Sequence, residues 1–123
     1  MTIDVILVDE DRDILDVMEA FLAREDGLSI STEVDPERAL ERIETGDFDA
    51  VVSDLTMPGM DGLELAAAVE EAVGELPFFL FTGRSPQDIE GYEAAPITGH
   101  LQKGTGTEQY GVLADRIRAA VDN

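Results

Sequence analysis

The sequence predicts an α/β domain in which a parallel sheet is covered by helices on both faces, and three observations lead there. Short apolar runs alternate along the chain with longer segments whose apolar residues recur at helical spacing. That succession calls for parallel strands joined by crossover helices. Most of the runs are nearly continuous in apolar residues, as strands buried on both faces are. The chain's 123 residues, 44% of them apolar, suffice for one core, so a single domain spanning 1–123 is expected.

Ile3 to Val8, rich in β-branched residues, is the first strand and runs into Asp9-Glu10-Asp11. From Asp13, the residues Ile14, Val17, Met18, Phe21 and Leu22 share a helical face until Gly27 ends the helix. Leu28 to Val34 is weaker and alternating, which suits an edge strand. Asp35-Pro36 opens the second helix, with Asp as N-cap and Pro at the first helical position. Ala39, Leu40 and Ile43 then face inward up to Gly46. Phe48 to Ser53 is the third strand, ending at Asp54, and a loop with Pro58, Gly59 and Gly62 follows. Asp61 and Glu64 have the spacing of a capping box, with Asp in place of Ser or Thr. The helix they open turns Leu65, Val69 and Val73 inward.

Pro77 to Phe81 is the fourth strand and ends at Thr82-Gly83. Ser85-Pro86 starts a poor fourth helix, interrupted by Gly91 and ended by Pro96. Ile97 to Gln102 is the fifth strand and runs into Lys103. Thr105 and Glu108 repeat the capping-box spacing before a last helix carrying Leu113, Ile117, Ala120 and Val121 on one face. Five strands alternating with five helices predict a flavodoxin-like (βα)5 fold, three-layer α/β/α, with strand order 2-1-3-4-5. Its switch point lies between strands 1 and 3.

Charge narrows the function. The chain has 28 acidic residues against 8 basic ones, a net charge of -20, spread along its whole length. Direct binding to nucleic acid or to an anionic membrane is not expected, because no basic patch displaces phosphate counterions. Such self-repulsion weakens folding at low salt, whereas at ~1 M salt the Debye length falls to ~3 Å. A cell with a concentrated salt interior suits this balance. Cysteine is absent, which excludes disulfides, thiolate metal sites and cysteine nucleophiles. No apolar run reaches bilayer length and the N-terminus lacks a signal-peptide pattern, so a cytoplasmic location is expected. Lys103 is the only lysine.

The predicted topology gathers Asp9 and Glu10 from strand 1, Asp54 from strand 3, Thr82 from strand 4 and Lys103 from strand 5. All five lie at carboxyl ends around the switch point, where open α/β sheets place their ligands. Two like charges ~4 Å apart repel by ~4 kcal/mol at an effective dielectric near 20, so three carboxylates invite a cation. All-oxygen donors select a hard ion, Mg2+ or Mn2+. Lys103 adds a point charge and Thr82 a hydroxyl donor, both suited to phosphoryl oxygens. One carboxylate is then the phosphoryl acceptor, and Asp54, single and set on a tight loop, fits best. Asp9, Asp11 and Asp13 do not form a calcium loop, since Ile14 and Ala20 stand where Gly and a bidentate Glu are needed.

Asp9-Glu10, the run Asp54-Leu-Thr-Met-Pro-Gly-Met-Asp-Gly62, Phe81-Thr82-Gly83 and Lys103 resemble, in order and spacing, the receiver domain of two-component response regulators. The acidic bias and Leu101-Gln-Lys-Gly104 are similar to receivers of haloarchaea. The resemblance implies that Asp54 takes a phosphoryl group from a histidine kinase, or from a small acyl phosphate. It also implies Mg2+ bound directly by Glu10, through water by Asp9, and by the Asp54 carboxylate and the Thr56 backbone carbonyl. Thr82 would follow the phosphoryl group inward and Lys103 would pair with it. A downstream output protein would be engaged at the face of helix 4, strand 5 and helix 5, by a monomer or weak dimer. Such a domain is a phosphoacceptor that assists its own phosphorylation and dephosphorylation, and is not otherwise an enzyme.

Two departures stand out. Gly104 follows the lysine where the family usually has Pro, and His100 occupies the switch position usually held by an aromatic residue. His100 is the only histidine, a pH-sensitive switch or a plain surface imidazole. Two alternatives remain. One is a degenerate receiver that binds partners without phosphorylation. The other is a small Mg-dependent phosphohydrolase, which would want a carboxylate where Thr56 stands. No DNA-binding or catalytic output segment is recognisable, so a shuttle or relay role is expected.

Overall fold

The computed structural model describes residues 2–104 and 106–122. Its strands are β1 (Ile3–Val8), β2 (Leu28–Glu33), β3 (Ala50–Ser53), β4 (Phe78–Thr82) and β5 (Gly99–Gln102). The α-helices are α1 (Arg12–Leu22), α2 (Pro36–Thr45), α3 (Gly62–Val73) and α4 (Glu108–Val121). The strands form one parallel sheet in the order β2-β1-β3-β4-β5, as predicted.

Side-chain alternation divides the core into two layers. Val5, Leu7, Ala50, Val52, Phe79 and Phe81 face one way and pack with Leu15, Met18 and Leu22 of α1 and Leu113 and Ile117 of α4. Ile6, Val8, Val51 and Phe78 face the other way, against Ala39 and Ile43 of α2 and Leu65, Ala66 and Val69 of α3. β1, β3 and β4 are buried on both sides, which is why their sequences carry no polar alternation. β2 pairs only with β1 and is only partly buried, as an edge strand.

The helix starts follow local chemistry. The Asp11 side chain accepts from the amides of Asp13 and Ile14, opening α1 slightly earlier than the apolar pattern suggests. Asp35 caps α2 ahead of Pro36. Asp61 and Glu64 form the expected reciprocal capping box on α3. The expected box at Thr105 lies outside the described residues; α4 begins at Glu108 after Thr107, which makes no side-chain capping bond.

Four expectations are corrected. The fourth predicted helix is replaced by two short 3-10 turns, Pro86–Asp88 and Tyr92–Ala94. Gly91 between them has φ +84°, a left-handed conformation that no α-helix continues through. The (βα)5 succession therefore lacks an α-helix between β4 and β5. Val17 is 46% exposed, because the buried stripe of α1 runs through Leu15, Met18 and Leu22. Val73 is 41% exposed: each step of four residues turns a helix by about 40° beyond full circle, so the row from Leu65 drifts off the core. Finally, β3, β4 and β5 begin one or two residues later than their apolar runs do.

Candidate functional site

The register of the sheet brings the strand ends together. Val8 of β1 is level with Ser53 of β3, and Thr82 of β4 is level with Gln102 of β5. The next residues, Asp9, Asp54 and Lys103, therefore leave the same edge of the sheet. They meet around one ammonium group: Lys103 Nζ lies 3.1 Å from Asp9 Oδ2 and 3.3 Å from Asp54 Oδ1.

Each partner is held by its own backbone contacts. Asp9 is buried, and its Oδ1 accepts from the Asp11 amide at 2.9 Å, so the carboxylate is held from both sides. The Asp54 amide donates to the Val8 carbonyl at 2.9 Å, extending the β1–β3 ladder to the site. Asp54 Oδ1 accepts from the Leu55 amide at 2.9 Å. The Lys103 amide donates to the Thr82 carbonyl at 2.8 Å. Its ammonium also stands 5.7 Å from the centroid of the buried Phe81 ring, a cation–π distance.

Burial raises the Asp54 carboxyl above its ordinary range. Lys103 opposes this, the Asp9 charge adds to it, and the Leu55 amide opposes it again. Asp54 is thus a half-buried carboxylate whose charge is costly without cations.

The other expected residues stand differently. Thr82 is buried beside this group, and its Oγ1 is 3.5 Å from the Arg84 amide, a bond at the limit of reach. Glu10 and Thr56 are exposed. Of the three expected carboxylates, Asp9 and Asp54 are brought together and Glu10 lies at the surface, next to Asp9 in sequence. Among the described residues, no three carboxylate or imidazole groups gather as a ligand set. Asp9 and Asp54 converge on Lys103 instead, while Glu10 is exposed. The donors suit a hard cation in chemistry, since all are oxygen and two are already turned towards a shared positive charge.

His100 does not join this group. Its Nε2 lies 2.9 Å from the Arg84 carbonyl, which only accepts, so Nε2 carries the proton. Its ring meets Tyr92 edge-on at 5.8 Å, and its carbonyl accepts from Arg116 of α4 at 2.8 Å. His100 thus ties β5 to the 3-10 segment on one side and to α4 on the other.

Two contributors escaped the sequence reading. Gly62 packs where a Cβ would strike the Asp54 carbonyl and come within 2.8 Å of Leu80, and its amide donates to the Leu55 carbonyl at 2.7 Å. It closes the loop onto Asp54, although it reads in sequence as one more turn glycine. Gln109 bonds to the backbone of Gly104 and Gly106, and nothing in its local pattern distinguishes it from a surface residue of an amphipathic helix.

A cleft of about 280 Å3 lies beside the group, lined by Leu55, Thr56, Met57, Asp61, Arg84 and Glu90 among others. A larger cavity, about 600 Å3, opens at the opposite edge of the sheet around Asp49, Pro77 and Thr98. It contains none of the site residues, so charge convergence, not cavity size, marks the site.

The family model for the response regulator receiver domain matches residues 5–112. The chain is 32% identical to the chemotaxis protein CheY of Pseudomonas aeruginosa, over 67% of this chain and 76% of that protein. It is 34% identical to the transcriptional regulatory protein TcrA of Mycobacterium tuberculosis, over 64% of this chain but only 31% of that protein. The chain thus spans about a third of that regulator. The solved structure of the chemotaxis response regulator CheY4 of Vibrio cholerae superposes with a TM-score of 0.85, at 27% identity, covering 95% of this chain and 99% of that one. The beryllium-fluoride-activated receiver domain of DrrB gives 0.83 at 22% identity and covers both chains in full, a likeness of fold.

Proposed function

The chain belongs to the response regulator receiver domain family, and from that premise we propose that Asp54 is its phosphoacceptor, taking a phosphoryl group from a histidine kinase or a small acyl phosphate. One observation carries this reading. Lys103 Nζ sits between Asp54 Oδ1, at 3.3 Å, and Asp9 Oδ2, at 3.1 Å, at the carboxyl edge of a parallel sheet. A degenerate domain has no need to hold two carboxylates and its only lysine in one half-buried group.

In the proposed mechanism, Asp54 is the nucleophile. One carboxylate oxygen forms the bond to phosphorus while the bond to the donor's histidine nitrogen or acyl oxygen breaks, and the leaving group takes its electron pair. Lys103 follows the charge from the carboxylate to the phosphoryl oxygens, and Thr82, buried alongside, turns its hydroxyl towards them. Catalysis is then mainly positioning and neutralisation, as loose phosphoryl transfer requires. Asp9, Glu10, Asp54 and the Thr56 backbone carbonyl would hold Mg2+ or Mn2+, Glu10 turning inward to do so. When bound, the ion supplies the positive charge that lets a carboxylate and an anionic donor approach one another. The domain acts as a phosphoacceptor that assists its own phosphorylation and dephosphorylation.

The phosphorylated state would select a different arrangement of the face made by the 3-10 segment, β5 and α4, where an output protein docks. His100 is the proposed switch position with Thr82, since it links all three of these elements. A single domain over 1–123, a monomer or weak dimer in the cytoplasm, and an adaptation to concentrated salt complete the proposal. The last rests on the net charge of -20 alone. Among the described residues, no helix is long and apolar enough to cross a membrane.

The test is direct. The protein is incubated with acetyl phosphate and Mg2+ in concentrated KCl, and its intact mass is measured. One added phosphoryl mass is expected, absent from Asp54→Asn and with EDTA. No added mass on the folded protein, with histidine kinases also tried, overturns the reading in favour of a phosphorylation-independent module. Rapid turnover of a phosphate ester would overturn it in favour of a hydrolase.

A further inference from the structure

Lys103 reaches both carboxylates from the last anchored point of β5, where its amide is bonded to the Thr82 carbonyl. Beyond it the chain runs through Gly104 and Gly106, the residue type with the most backbone freedom. Gly104 has no positive φ that demands glycine, and a Cβ there would touch only Gln109 Oε1, at 3.8 Å. Sterics therefore leave Gly104 free. Among the described residues, one side chain holds Gly104 and Gly106. Gln109 Oε1 accepts from the Gly104 amide at 2.7 Å, while Gln109 Nε2 donates to the Gly106 carbonyl at 2.9 Å and more weakly to the Gly104 carbonyl at 3.4 Å. Gln109 is the second residue of α4, a helix whose N-cap, Thr107, makes no side-chain bond of its own.

We propose that Gln109 is a positioning residue for phosphoryl transfer: its carboxamide braces the glycine loop after Lys103 and so holds the ammonium against Asp9 and Asp54. The inference rests on the phosphoacceptor reading of Asp54, yet it makes a claim about Lys103 that stands apart from activity. A primary amide is the side chain for this task, because it offers an acceptor to the Gly104 amide and a donor to the Gly106 carbonyl at once. Displacing a catalytic charge by even ~1 Å costs up to ~100-fold in rate, so a brace this close to Lys103 acts on turnover through another residue. The expected signature is a lower maximal rate with unchanged half-saturation by the donor.

Because Lys103 is the only lysine, its side chain can be read in isolation. The intact protein is treated with an amine-acetylating reagent, and fragment masses separate Lys103 from the N-terminal amine. In Gln109→Ala, Lys103 is expected to acetylate several-fold faster than in the unaltered protein or in Ser29→Ala, an exposed substitution on β2 at the opposite edge of the sheet. The maximal rate of uptake from acetyl phosphate and Mg2+ is expected to fall about tenfold. Adding Gly104→Ala, which stiffens the loop without a clash, is expected to restore part of both. Urea unfolding accompanies each variant. Unchanged Lys103 reactivity in a folded Gln109→Ala protein overturns the proposal. Faster reactivity matched by a general loss of stability, with no rescue by Gly104→Ala, also overturns it, since Gln109 would then be a structural residue only. If the unaltered protein takes up no phosphoryl group, the phosphoacceptor reading falls, while Lys103 reactivity still decides whether the brace exists.

Discussion

Replacing Lys103 with Met keeps most of the stem and removes the charge from between Asp9 and Asp54. At an effective dielectric near 20, each contact, at 3.1 and 3.3 Å, has a Coulomb energy of ~5 kcal/mol. Solvent screens part of this: the Lys103 side chain is 23% exposed, against 4% for Asp9 and 16% for Asp54. Removing one partner of a buried pair costs ~3–5 kcal/mol, and with this exposure we expect the lower end, about 3 kcal/mol. For a urea slope of about 2 kcal/mol/M, that moves the unfolding midpoint down by ~1.5 M. Unfolding is measured in chelated buffer at one fixed salt concentration. Two further results are expected from the same geometry. Adding Asp9→Asn to Lys103→Met recovers part of the loss, because one of two adjoining carboxylates is gone. Mg2+ at ~100 times its dissociation constant adds ~2.7 kcal/mol to the single variant. A loss below about 0.5 kcal/mol, with no coupling to Asp9, would refute the argument, since Lys103 would then be a solvated surface lysine.

Three other outcomes follow from the site and its surroundings. The folded-state pKa of Asp54 is raised above its ordinary 3.8, chiefly by burial, so the folded protein binds this proton more tightly than the unfolded chain does. Its contribution to stability is greatest below the unfolded value and is lost as pH rises through the raised one. In chelated buffer Asp54→Asn should therefore be more stable than the unaltered protein at neutral pH, by a margin that shrinks on acidification; equal stability throughout would contradict the burial argument. Gly62→Ala should cost about 1–3 kcal/mol and slow phosphoryl uptake, because the new Cβ meets the Asp54 carbonyl and Leu80; urea unfolding with normal stability would show that the loop gives way freely. With a net charge of -20, stability should climb steeply between ~0.1 and ~1 M KCl as the Debye length falls from ~10 to ~3 Å. A flat salt profile would remove the case for adaptation to concentrated salt.

How much of this was legible in the sequence depends on the range of the forces involved. Strands buried on both faces declare themselves as Ile3–Val8, with only Asp4 polar, and Phe78–Phe81 do, because nearly every position is enclosed. Caps such as Asp35-Pro36 and Asp61–Glu64 are equally plain, since partners two or three residues apart satisfy each other locally. The segment between β4 and β5 was harder. Its proline and glycine breaks were visible, but an α/β pattern demands a crossover there, and whether a helix or two 3-10 turns supplies it depends on local breakage at Gly91.

The sequence by itself determined the fold class and which residues end each strand, since periodicity and capping act within one element or between neighbours. The order 2-1-3-4-5 was the one expected for a domain of this size, and the sheet adopts it. Only the tertiary structure decided how the strand-end residues are arranged. Lys103 stands between Asp9 and Asp54, Glu10 remains exposed, and His100 turns to Arg84 and Tyr92 instead of to the acceptor. The reason is distance along the chain: Lys103 and Asp9 are 94 residues apart, and nothing local records a contact that exists only once the sheet has closed the gap. Gly62 and Gln109 belong with these. Their importance lies in what stands opposite them, and that is a property of packing.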